Sequence, residues 1–215
     1  MRGKVEPPPD FTWERKFKAQ GYHLIAGIDE VGRGAIAGPV AAAAVILPHN
    51  QDIPWLNFVR DSKQLTPRRR EFLFPLIRET AVAVGVGMVS SSIIDVQGIV
   101  SATKLAMRLA VERLSPKADF LLIDALNLPE LSFPQESIIH GDRLSLSIAC
   151  ASIIAKVSRD NLMVGFDGIY PGYRFVNHKG YGTREHLIAL QQQGPSPIHR
   201  RSFAPLRGNS SPGAE

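Results

Sequence analysis

The chain contains a single cysteine, Cys150, among its 215 residues, so an internal disulfide is excluded. One cysteine fits a reducing compartment, and its place in the small-residue run SIACASIIA favours buried packing over a nucleophilic role. Cysteine and histidine also form no cluster of the kind that binds zinc. Thiol catalysis, zinc binding and a disulfide scaffold are therefore all disfavoured.

Long apolar runs are missing as well. No run approaches the roughly 18 residues that a membrane-spanning helix needs. The first residues, MRGKVEPPPDFTWERKF, contain no apolar core like that of a secretory signal peptide. We therefore expect a cytoplasmic protein that does not bind membranes.

Charge is plentiful and leans positive. The chain has 25 Lys and Arg against 20 Asp and Glu, a formal net charge of +5. This balance is a mild argument for nucleic acid or another polyanion as partner. The apolar content of 44% and charged content of 21% are ordinary for a globular protein, and the length suits one substantial core.

The two ends differ in composition from the rest. Residues 1–20 are predicted to be an N-terminal extension, disordered in part because its first ten residues are polar and proline-rich. Residues 208–215, GNSSPGAE, are predicted to be a disordered tail. Neither a repeat nor a linker interrupts residues 21–207, so this part is predicted to be a single domain.

The hydrophobic pattern predicts an α/β protein. Apolar runs predict strands at 24–28, 40–47, 81–90, 120–123 and 136–141. Helices are predicted at 67–81, from about 92 to 114, from about 143 to 164 and from about 184 to 193. Thr66 should cap the first of these helices, Pro75 should kink or split it, and Ser92 with Asp95 resembles a capping box for the second. Early strands followed by alternating strands and helices indicate a mixed sheet.

Three of the predicted strands end in carboxylates. LIAGI is followed by Asp29 and Glu30, FLLI by Asp124, and SIIHG by Asp142. Open α/β sheets build their sites at this end of their strands, so the four acids are expected to converge. Close carboxylates raise one another's pKa unless a cation neutralises them, and Mg²⁺ or Mn²⁺ prefers such oxygen ligands. Two such ions roughly 3.5–4 Å apart form the clamp that hydrolyses phosphodiesters.

Each acid also has an ordinary alternative explanation. Asp142 could be the N-cap of the helix that follows it, and Asp124 could be a turn residue. Glu30 could point to solvent, because neighbouring strand residues face opposite ways. For Asp29 and Glu30 to serve one site, the strand must end or bulge at this point.

Longer segments, in one order along the chain, carry a more specific signal than any single motif. They are GIDEVGRGAIAGPVAAAAVIL (27–47), DSKQL (61–65), FLLIDAL (120–126), GDRLSLSIACASIIAKVSRD (141–160), HKGYGT (178–183) and GPSPIHRRSFAPL (194–206). Together they resemble ribonuclease HII, the type 2 branch of the ribonuclease H-like fold, from about residue 24 to 205. The chain departs from the family at Ala35-Ile36, where Pro-Leu is more frequent, and at Ala125, where glycine is common.

The resemblance implies a ribonuclease H-like mixed β-sheet flanked by helices, with a C-terminal helical extension. It implies that the catalytic, metal-binding acids are Asp29, Glu30, Asp124 and Asp142, with two Mg²⁺ or Mn²⁺ ions per site. The implied enzyme hydrolyses the RNA strand of RNA–DNA hybrids and incises duplex DNA at embedded ribonucleotides, as in ribonucleotide excision repair. It leaves 3′-hydroxyl and 5′-phosphate ends.

Substrate contacts are implied for further residues. The loop of Gly32, Arg33 and Gly34 would read the ribonucleotide, because glycine lets the backbone approach the sugar and hydrogen-bond the 2′-hydroxyl. Tyr181 matches the tyrosine that stacks on the next sugar. Contacts to the nucleic-acid backbone are expected from Ser62, Lys63, Lys156, Arg159 and Lys179.

The remaining charged and titratable side chains receive no role in the site. Arg68, Arg69 and Arg70 are expected to be idle surface charges. His178 and His199 are expected in exposed loops, with no catalytic part.

Two other functions stay open at this point. One is a two-metal nuclease of the same fold that acts on another structure, such as a branched DNA junction. The other is a non-catalytic nucleic-acid-binding protein whose acids only tune affinity. The intact acidic set counts against the second, because carboxylates weaken phosphate binding unless metal is present. In every case the protein is expected to be a monomer.

Overall fold

A five-stranded mixed sheet forms the centre of the structure, a computed structural model that describes residues 7–48 and 53–207. The strands are β1 (Ile25–Val31), β2 (Val40–Ile46), β3 (Ala83–Val89), β4 (Phe120–Asp124) and β5 (Gln135–Ile138). Their order across the sheet is β3-β2-β1-β4-β5. The β1–β2 and β2–β3 pairs are antiparallel, whereas the β1–β4 and β4–β5 pairs are parallel. The predicted mixed sheet is confirmed.

Helices cover both faces of this sheet and form the C-terminal part of the chain, as predicted. They are α1 (Thr12–Lys18), α2 (Pro67–Thr80), α3 (Ser91–Gln97), α4 (Ile99–Glu112), α5 (Gly141–Leu144), α6 (Leu146–Ile169), α7 (Phe175–His178) and α8 (Arg184–Gln193). One core lies between the sheet and α4, and a second lies between the sheet, α2 and α6. None of the described helices is long and apolar enough to cross a membrane.

The predicted second helix is divided in two. Gly98, with φ of +79°, ends α3 and begins α4, because only glycine adopts this conformation without strain. The cap is also different from the prediction: Ser90, not Ser92, accepts a hydrogen bond from the Ile93 N–H. Asp95 instead accepts bonds from the backbone of residues 201–202.

The predicted split at Pro75 is wrong, since α2 runs through it as one helix; the predicted kink stays a prediction. Pro75 lies on the exposed face of this helix, where water can hydrate the carbonyl that loses its usual N–H partner. The long helix predicted from residue 143 is broken at Ser145, which has extended backbone angles and caps α6 through its hydroxyl. Thr66 caps α2 as predicted.

Helix α1 is fastened to the start of α6 by a buried carboxylate. Glu14 accepts hydrogen bonds from the Ser145 hydroxyl (2.7 Å), the Ser147 N–H (2.9 Å) and the Ser147 hydroxyl (2.6 Å). Part of the predicted N-terminal extension therefore packs on the domain. The division at residues 20 and 207 stays a prediction, since residues 1–6 and 208–215 lie outside the described residues.

Helix α6 approaches β1 so closely that only glycine fits beneath it. A Cβ atom built on Gly27 would lie 2.1 Å from the Ser147 carbonyl carbon and 2.2 Å from the Ile148 nitrogen. The helix is thereby held against the strand that carries Asp29 and Glu30. Gly165 differs, because nothing lies within 4 Å of its hypothetical Cβ.

Gly27→Ala is therefore expected to destabilise the protein by about 2 kcal/mol or more, because the backbone of α6 must move. Gly165→Ala, in the interior of α6, is the matched control and should stabilise by about 0.5–1 kcal/mol. Urea unfolding followed by circular dichroism measures both. Equal effects of the two substitutions would contradict the close packing.

Candidate active site

Asp29 and Asp124 lie side by side on the two central parallel strands. Ile28 of β1 pairs with Ile123 of β4, so the next position on each strand places the two acids beside each other. Neighbouring strands are about 4.8 Å apart, and laterally paired residues share a face. This face is the one that Gly27 presents to α6. The first two acids thus converge as predicted.

Asp142 is brought to the same place by bonds from the first two residues of α5. The Asp124 carboxylate accepts a hydrogen bond from the Gly141 N–H (2.7 Å), and the Asp142 N–H also donates to it. Asp142 is not an N-cap, because His140 precedes α5 and Ser145 caps α6. The ordinary alternative for Asp142 is therefore excluded.

Glu30 reaches the site although β1 neither ends nor bulges there. The strand continues through Val31, and Glu30 pairs regularly with Ala42. Its Oε1 accepts a hydrogen bond from Arg33 (3.2 Å), whereas its Oε2 is buried without a hydrogen-bond partner. The charge of Asp124 still acts on it. The expected interruption of the strand is thus not observed.

The acids strongly influence one another's protonation. Burial raises the pKa of Asp29 well above its usual range, and the charges of Glu30 and Asp124 raise it further. The pKa of Asp142 is raised to about 6, first by burial and then by the charges of Asp61 and Asp124. Both side chains are nearly inaccessible, with 4% and 5% of their surfaces exposed. The site therefore disfavours its own negative charge.

Lys63 is an exposed cation close enough to these acids for their charges to act on it. Burial alone would lower the pKa of its ammonium group, but the charges of Asp29, Asp61, Asp142 and Asp124 raise it. The loop of Lys63 is held in place by Asp61, whose carboxylate accepts the Lys63 N–H (2.9 Å). The environment of Lys63 thus stabilises positive charge.

Asp61 is an acid that the sequence reasoning missed. It is buried, with 3% of its surface exposed, and lies close enough to Asp142 to hydrogen-bond to it. The sequence does contain a signal for Asp61: it lies in DSKQL, directly before Ser62 and Lys63, which are predicted to contact the substrate. Arg70 also has a role: it donates to the carbonyls of Ser62 and Leu65, so it supports this loop and is not an idle surface charge.

The donor chemistry of the site fits a hard divalent cation. All of its acids offer oxygen, the ligand that Mg²⁺ and Mn²⁺ prefer, and one buried carboxylate oxygen of Glu30 has no partner. Across residues 7–48 and 53–207, however, no three acidic, histidine or cysteine side chains already form a group that could hold a metal ion. The residues fit the ion chemically, but their side chains are not yet arranged around one.

A cleft of about 620 Å³ opens beside the acids and collects most of the predicted contact residues. It is lined by Glu30, Val31, Gly32, Arg33, Gly34, Ser62, Lys63, Lys156 and Tyr181. The Tyr181 ring lies 5.7 Å from the Lys156 ammonium, a cation–π distance. Ser62 is hydrogen-bonded to the Ser152 hydroxyl (2.8 Å), and Ser152 in turn bonds to Asp29.

Arg159 lies behind the cleft, 5.4 Å from the Tyr181 ring, and does not line it, so the expectation that it contacts the nucleic-acid backbone is corrected. It is fully buried and donates to the carbonyl oxygens of Pro39 (2.8 Å), Lys179 (2.9 Å) and Ala37 (3.1 Å). Lys179 is also absent from the cleft lining, and its ammonium group bonds to the Val176 carbonyl. Residues 32–39, which connect β1 to β2, are called the glycine loop below. Arg159 joins this glycine loop to the loop of Tyr181.

Arg200 is a second buried arginine that the sequence reasoning missed. It donates to the carbonyls of Gly38 (3.0 Å) and Arg33 (2.9 Å), and burial followed by the charge of Arg159 lowers its pKa to about 9. The guanidinium groups of Arg159 and Arg200 thus both donate hydrogen bonds to the backbone of the glycine loop. The predicted exposure of His178 and His199 is also wrong, since 8% and 2% of their surfaces are exposed.

A mixed sheet with carboxylates at the ends of its central parallel strands, beside a basic cleft, places the chain among the ribonuclease H-like nucleases. Solved structures share the fold. Ribonuclease H2 from Pyrococcus horikoshii OT3 aligns with a TM-score of 0.72 and 25% identity, covering 86% of this chain and 96% of that chain. The family model described as ribonuclease HII matches residues 26–206, and the chain belongs to this family.

Similarity to individual relatives extends over nearly the whole chain. Ribonuclease HII of Dehalococcoides mccartyi strain 195 is 53% identical over 199 residues, covering 93% of this chain and 94% of the relative. That of Geobacter sulfurreducens is 51% identical over 203 residues, covering 94% and 92%. Ribonuclease HII of Archaeoglobus fulgidus, solved in complex with PCNA, has a TM-score of 0.70 and 26% identity over 84% of this chain and 95% of that chain.

The predicted resemblance is therefore confirmed, and the protein is a ribonuclease H, an endoribonuclease. Enzymes of the ribonuclease H family depend on divalent metal ions and act on RNA–DNA hybrids. Bst-RNase HIII, solved in complex with Mn²⁺, shares the fold at 20% identity with a TM-score of 0.59, covering 85% of this chain and 68% of that chain.

Asp142→Asn is expected to stabilise the metal-free protein. Because the pKa of Asp142 is raised from 3.8 to about 6, its contribution to stability is full below pH 3.8 and is lost as the pH rises through about 6. The neutral amide avoids this loss. After allowance for screening by water, the free energy of unfolding at about pH 8 should increase by about 1 kcal/mol, or Tm by about 2–4 °C.

Thermal unfolding in EDTA between about pH 4 and pH 8 measures this gain. It should shrink as the pH falls from about 6 towards 4. Glu112→Gln, at an exposed position on α4, is the control and should show no such dependence. A destabilised Asp142→Asn protein at about pH 8 would show that the acids do not repel one another.

Proposed function

We propose that Asp29, Glu30, Asp124 and Asp142 hold two Mg²⁺ or Mn²⁺ ions and that the enzyme cuts by in-line hydrolysis. Cleavage leaves 3′-hydroxyl and 5′-phosphate ends, both in RNA–DNA hybrids and at single ribonucleotides in duplex DNA. The observation that carries this proposal is the set of buried, mutually repelling carboxylates beside Lys63. Such a set keeps its full negative charge at neutral pH only when positive charge is present.

The residues of the chain have separate tasks in this reaction. The divalent ions, once bound, supply Lewis-acid stabilisation of the phosphate oxygens. Asp29 is oriented by the Glu30 N–H (2.7 Å), and Asp124 by the Gly141 N–H (2.7 Å). Lys63 offers the phosphate a positive charge at the edge of the acids, and Lys156 does the same farther along the cleft. Substrate is thereby held in line with the acids.

The two glycines of the predicted reading loop support its role for different reasons. Gly32, with φ of +88°, lies so near Arg159 that a Cβ would be 2.2 Å from its Nε atom. Gly34 has no left-handed φ, and nothing lies within 4 Å of its hypothetical Cβ. The fold itself therefore requires glycine at 32 but not at 34. We infer that the open space at Gly34 receives the sugar of the ribonucleotide.

The remaining parts of the proposal concern the cell and the assembly. The cleft and the acids come from a single chain, so the protein is proposed to act as a monomer. Cys150 is a buried free thiol, which fits the reducing cytoplasm. Removal of single ribonucleotides from duplex DNA would make the enzyme part of ribonucleotide excision repair.

The acids are tested by Asp29→Asn and Asp124→Asn. Each should reduce cleavage of an RNA–DNA hybrid by roughly 10³-fold, because charge stabilisation of the reacting phosphate is lost. Mg²⁺ at about a hundredfold excess over its Kd should stabilise the unsubstituted protein by about 2.7 kcal/mol but the variants much less. Thermal unfolding with and without Mg²⁺ gives a readout that does not depend on activity.

Glu112→Gln is the control and should retain both cleavage and the Mg²⁺ response. Undiminished cleavage by both aspartate variants would exclude the proposed site. Binding of hybrid that is equally tight in EDTA, with no cutting in Mn²⁺, would instead indicate a non-catalytic binding protein.

Gly34→Ala tests the reading loop. The methyl group should block the sugar, so cleavage at a single embedded ribonucleotide should fall roughly tenfold. Stability should change by no more than about 0.5 kcal/mol, because the protein offers the methyl group no clash. Gly165→Ala, whose surroundings are equally open, is the matched control for cleavage.

Both variants are assayed on one duplex with a single ribonucleotide and on its all-DNA counterpart. Equal cleavage of the two duplexes by the unsubstituted protein would favour the alternative nuclease with another substrate. Unchanged cleavage by Gly34→Ala would place the sugar elsewhere.

A further inference from the structure

Three buried histidines lie beneath the cleft, in the C-terminal part of the domain. His178, His186 and His199 pack with the rings of Tyr173 and Phe175. Only 8%, 0% and 2% of the three histidine surfaces are exposed. Buried imidazoles need partners for both ring nitrogens, so their bonds reveal what the cluster holds.

The bonds of His186 and His199 have a defined direction. His186 Nδ1 lies 2.9 Å from the Tyr181 carbonyl oxygen, which can only accept, so this nitrogen carries the proton. His186 Nε2 is then an acceptor, and His199 Nε2, 3.0 Å away, must donate to it. His199 Nδ1 accepts from the N–H (3.0 Å) and the hydroxyl (2.7 Å) of Ser196. The chain therefore runs from Ser196 to the Tyr181 carbonyl.

Burial keeps this chain of bonds intact at neutral pH. It lowers the pKa of both His186 and His199 to about 4, so each imidazole is neutral. A neutral pair can share one proton between its facing nitrogens, whereas a second proton there would place two donors opposite each other.

His178 belongs to the same cluster but has different partners. It stacks on His186, with ring centroids 4.3 Å apart, donates from Nε2 to the Tyr173 carbonyl (2.9 Å) and accepts the Gly180 N–H at Nδ1 (3.2 Å). Its side chain therefore supports the turn before Tyr181 rather than the Tyr181 carbonyl itself.

The segment that carries His199 is also joined to the glycine loop. The Gly38 N–H donates to the Ile198 carbonyl (2.8 Å), and the Arg200 N–H donates to the Ile36 carbonyl (2.9 Å). Ala37 and His199 form an antiparallel bridge between these bonds. Residues 198–200 thus hold residues 36–38 of the glycine loop with their backbone and, through the bond from His199 to His186, also hold the Tyr181 carbonyl, so they set the distance between the two.

We propose that the Ser196–His199–His186 chain is a positioning device that holds the Tyr181 carbonyl and thereby sets the tyrosine ring against the sugar beside the scissile phosphate. This inference rests on the proposed function and on the contact of Tyr181 with the next sugar that the family resemblance implies; Tyr181 lines the cleft. None of the three side chains touches substrate or metal; they act through Tyr181. Misplacement of a contact residue by even a small distance reduces the rate, so loss of the device should appear in catalysis.

A double-mutant cycle tests the device with His199→Leu and Tyr181→Ala. His199→Leu alone should reduce kcat/KM for a single-ribonucleotide duplex roughly tenfold. In the Tyr181→Ala background, His199→Leu should reduce kcat/KM less than about twofold, because the tyrosine ring that His199 helps to position is no longer present. His199→Gln keeps a donor near the Nε2 position and should restore most of the loss.

Tyr173→Phe is the matched control from the same cluster. It removes the hydroxyl bond to the Gly194 carbonyl (2.6 Å) and leaves the histidine pair unchanged. Its Tm should fall while kcat/KM stays within about twofold. Ser196→Ala, a smaller change, replaces His199→Leu if that variant does not fold, and should show the same dependence on Tyr181.

The outcomes separate this inference from the proposed function. Equal losses from His199→Leu in both backgrounds would show a purely structural role and overturn the inference. An unaffected Tyr181→Ala enzyme would overturn it too, since no contact would be left to position. The proposed metal site is judged independently by Asp124→Asn.

Discussion

Burial of like charges at the ends of β1 and β4 is the interaction on which the rest of the site depends. Asp29 and Asp142 are almost inaccessible to water, and each is acted on by the charge of Asp124. Hydrogen bonds and the ammonium group of Lys63 offset part of the repulsion. One buried oxygen of Glu30 still has no partner. What the site needs is positive charge, and a divalent cation provides it in a small volume.

The buried arginines impose a second constraint, on the other side of the cleft. Arg159 and Arg200 donate to carbonyl oxygens of the glycine loop and of Lys179, not to carboxylates in hydrogen-bonded ion pairs. Burial of a guanidinium group is costly, so the loop must keep the shape that satisfies these donors. Their charge also contributes a positive potential under the cleft that is proposed to bind phosphates.

Much of the fold and the meeting of the acids could be predicted from the sequence, because both depend on local patterns. Apolar runs that end in Asp29, Asp124 and Asp142 indicate strands and the place where they converge. The burial of Arg159 and of His199 could not be predicted in this way. Arg159 bonds to carbonyl groups far along the chain, and the burial of His199 depends on the fold that stacks the later helices around its ring. No local pattern distinguishes this buried guanidinium group or imidazole from an exposed one. Gly98 and Ser145 divide helices where periodicity alone predicts continuity.

Ala125 shows how the fold accommodates backbone strain next to one of the buried acids. It directly follows Asp124 and has φ of +50°, in the left-handed region. Alanine in this conformation costs about 1–2 kcal/mol in steric strain. Glycine would relieve the strain but would lose about 0.5–1 kcal/mol more conformational entropy on folding. The entropic advantage of alanine offsets about half of the strain, so the fold holds alanine here at a net cost of about 0.5–1 kcal/mol while the neighbouring carboxylate keeps its orientation.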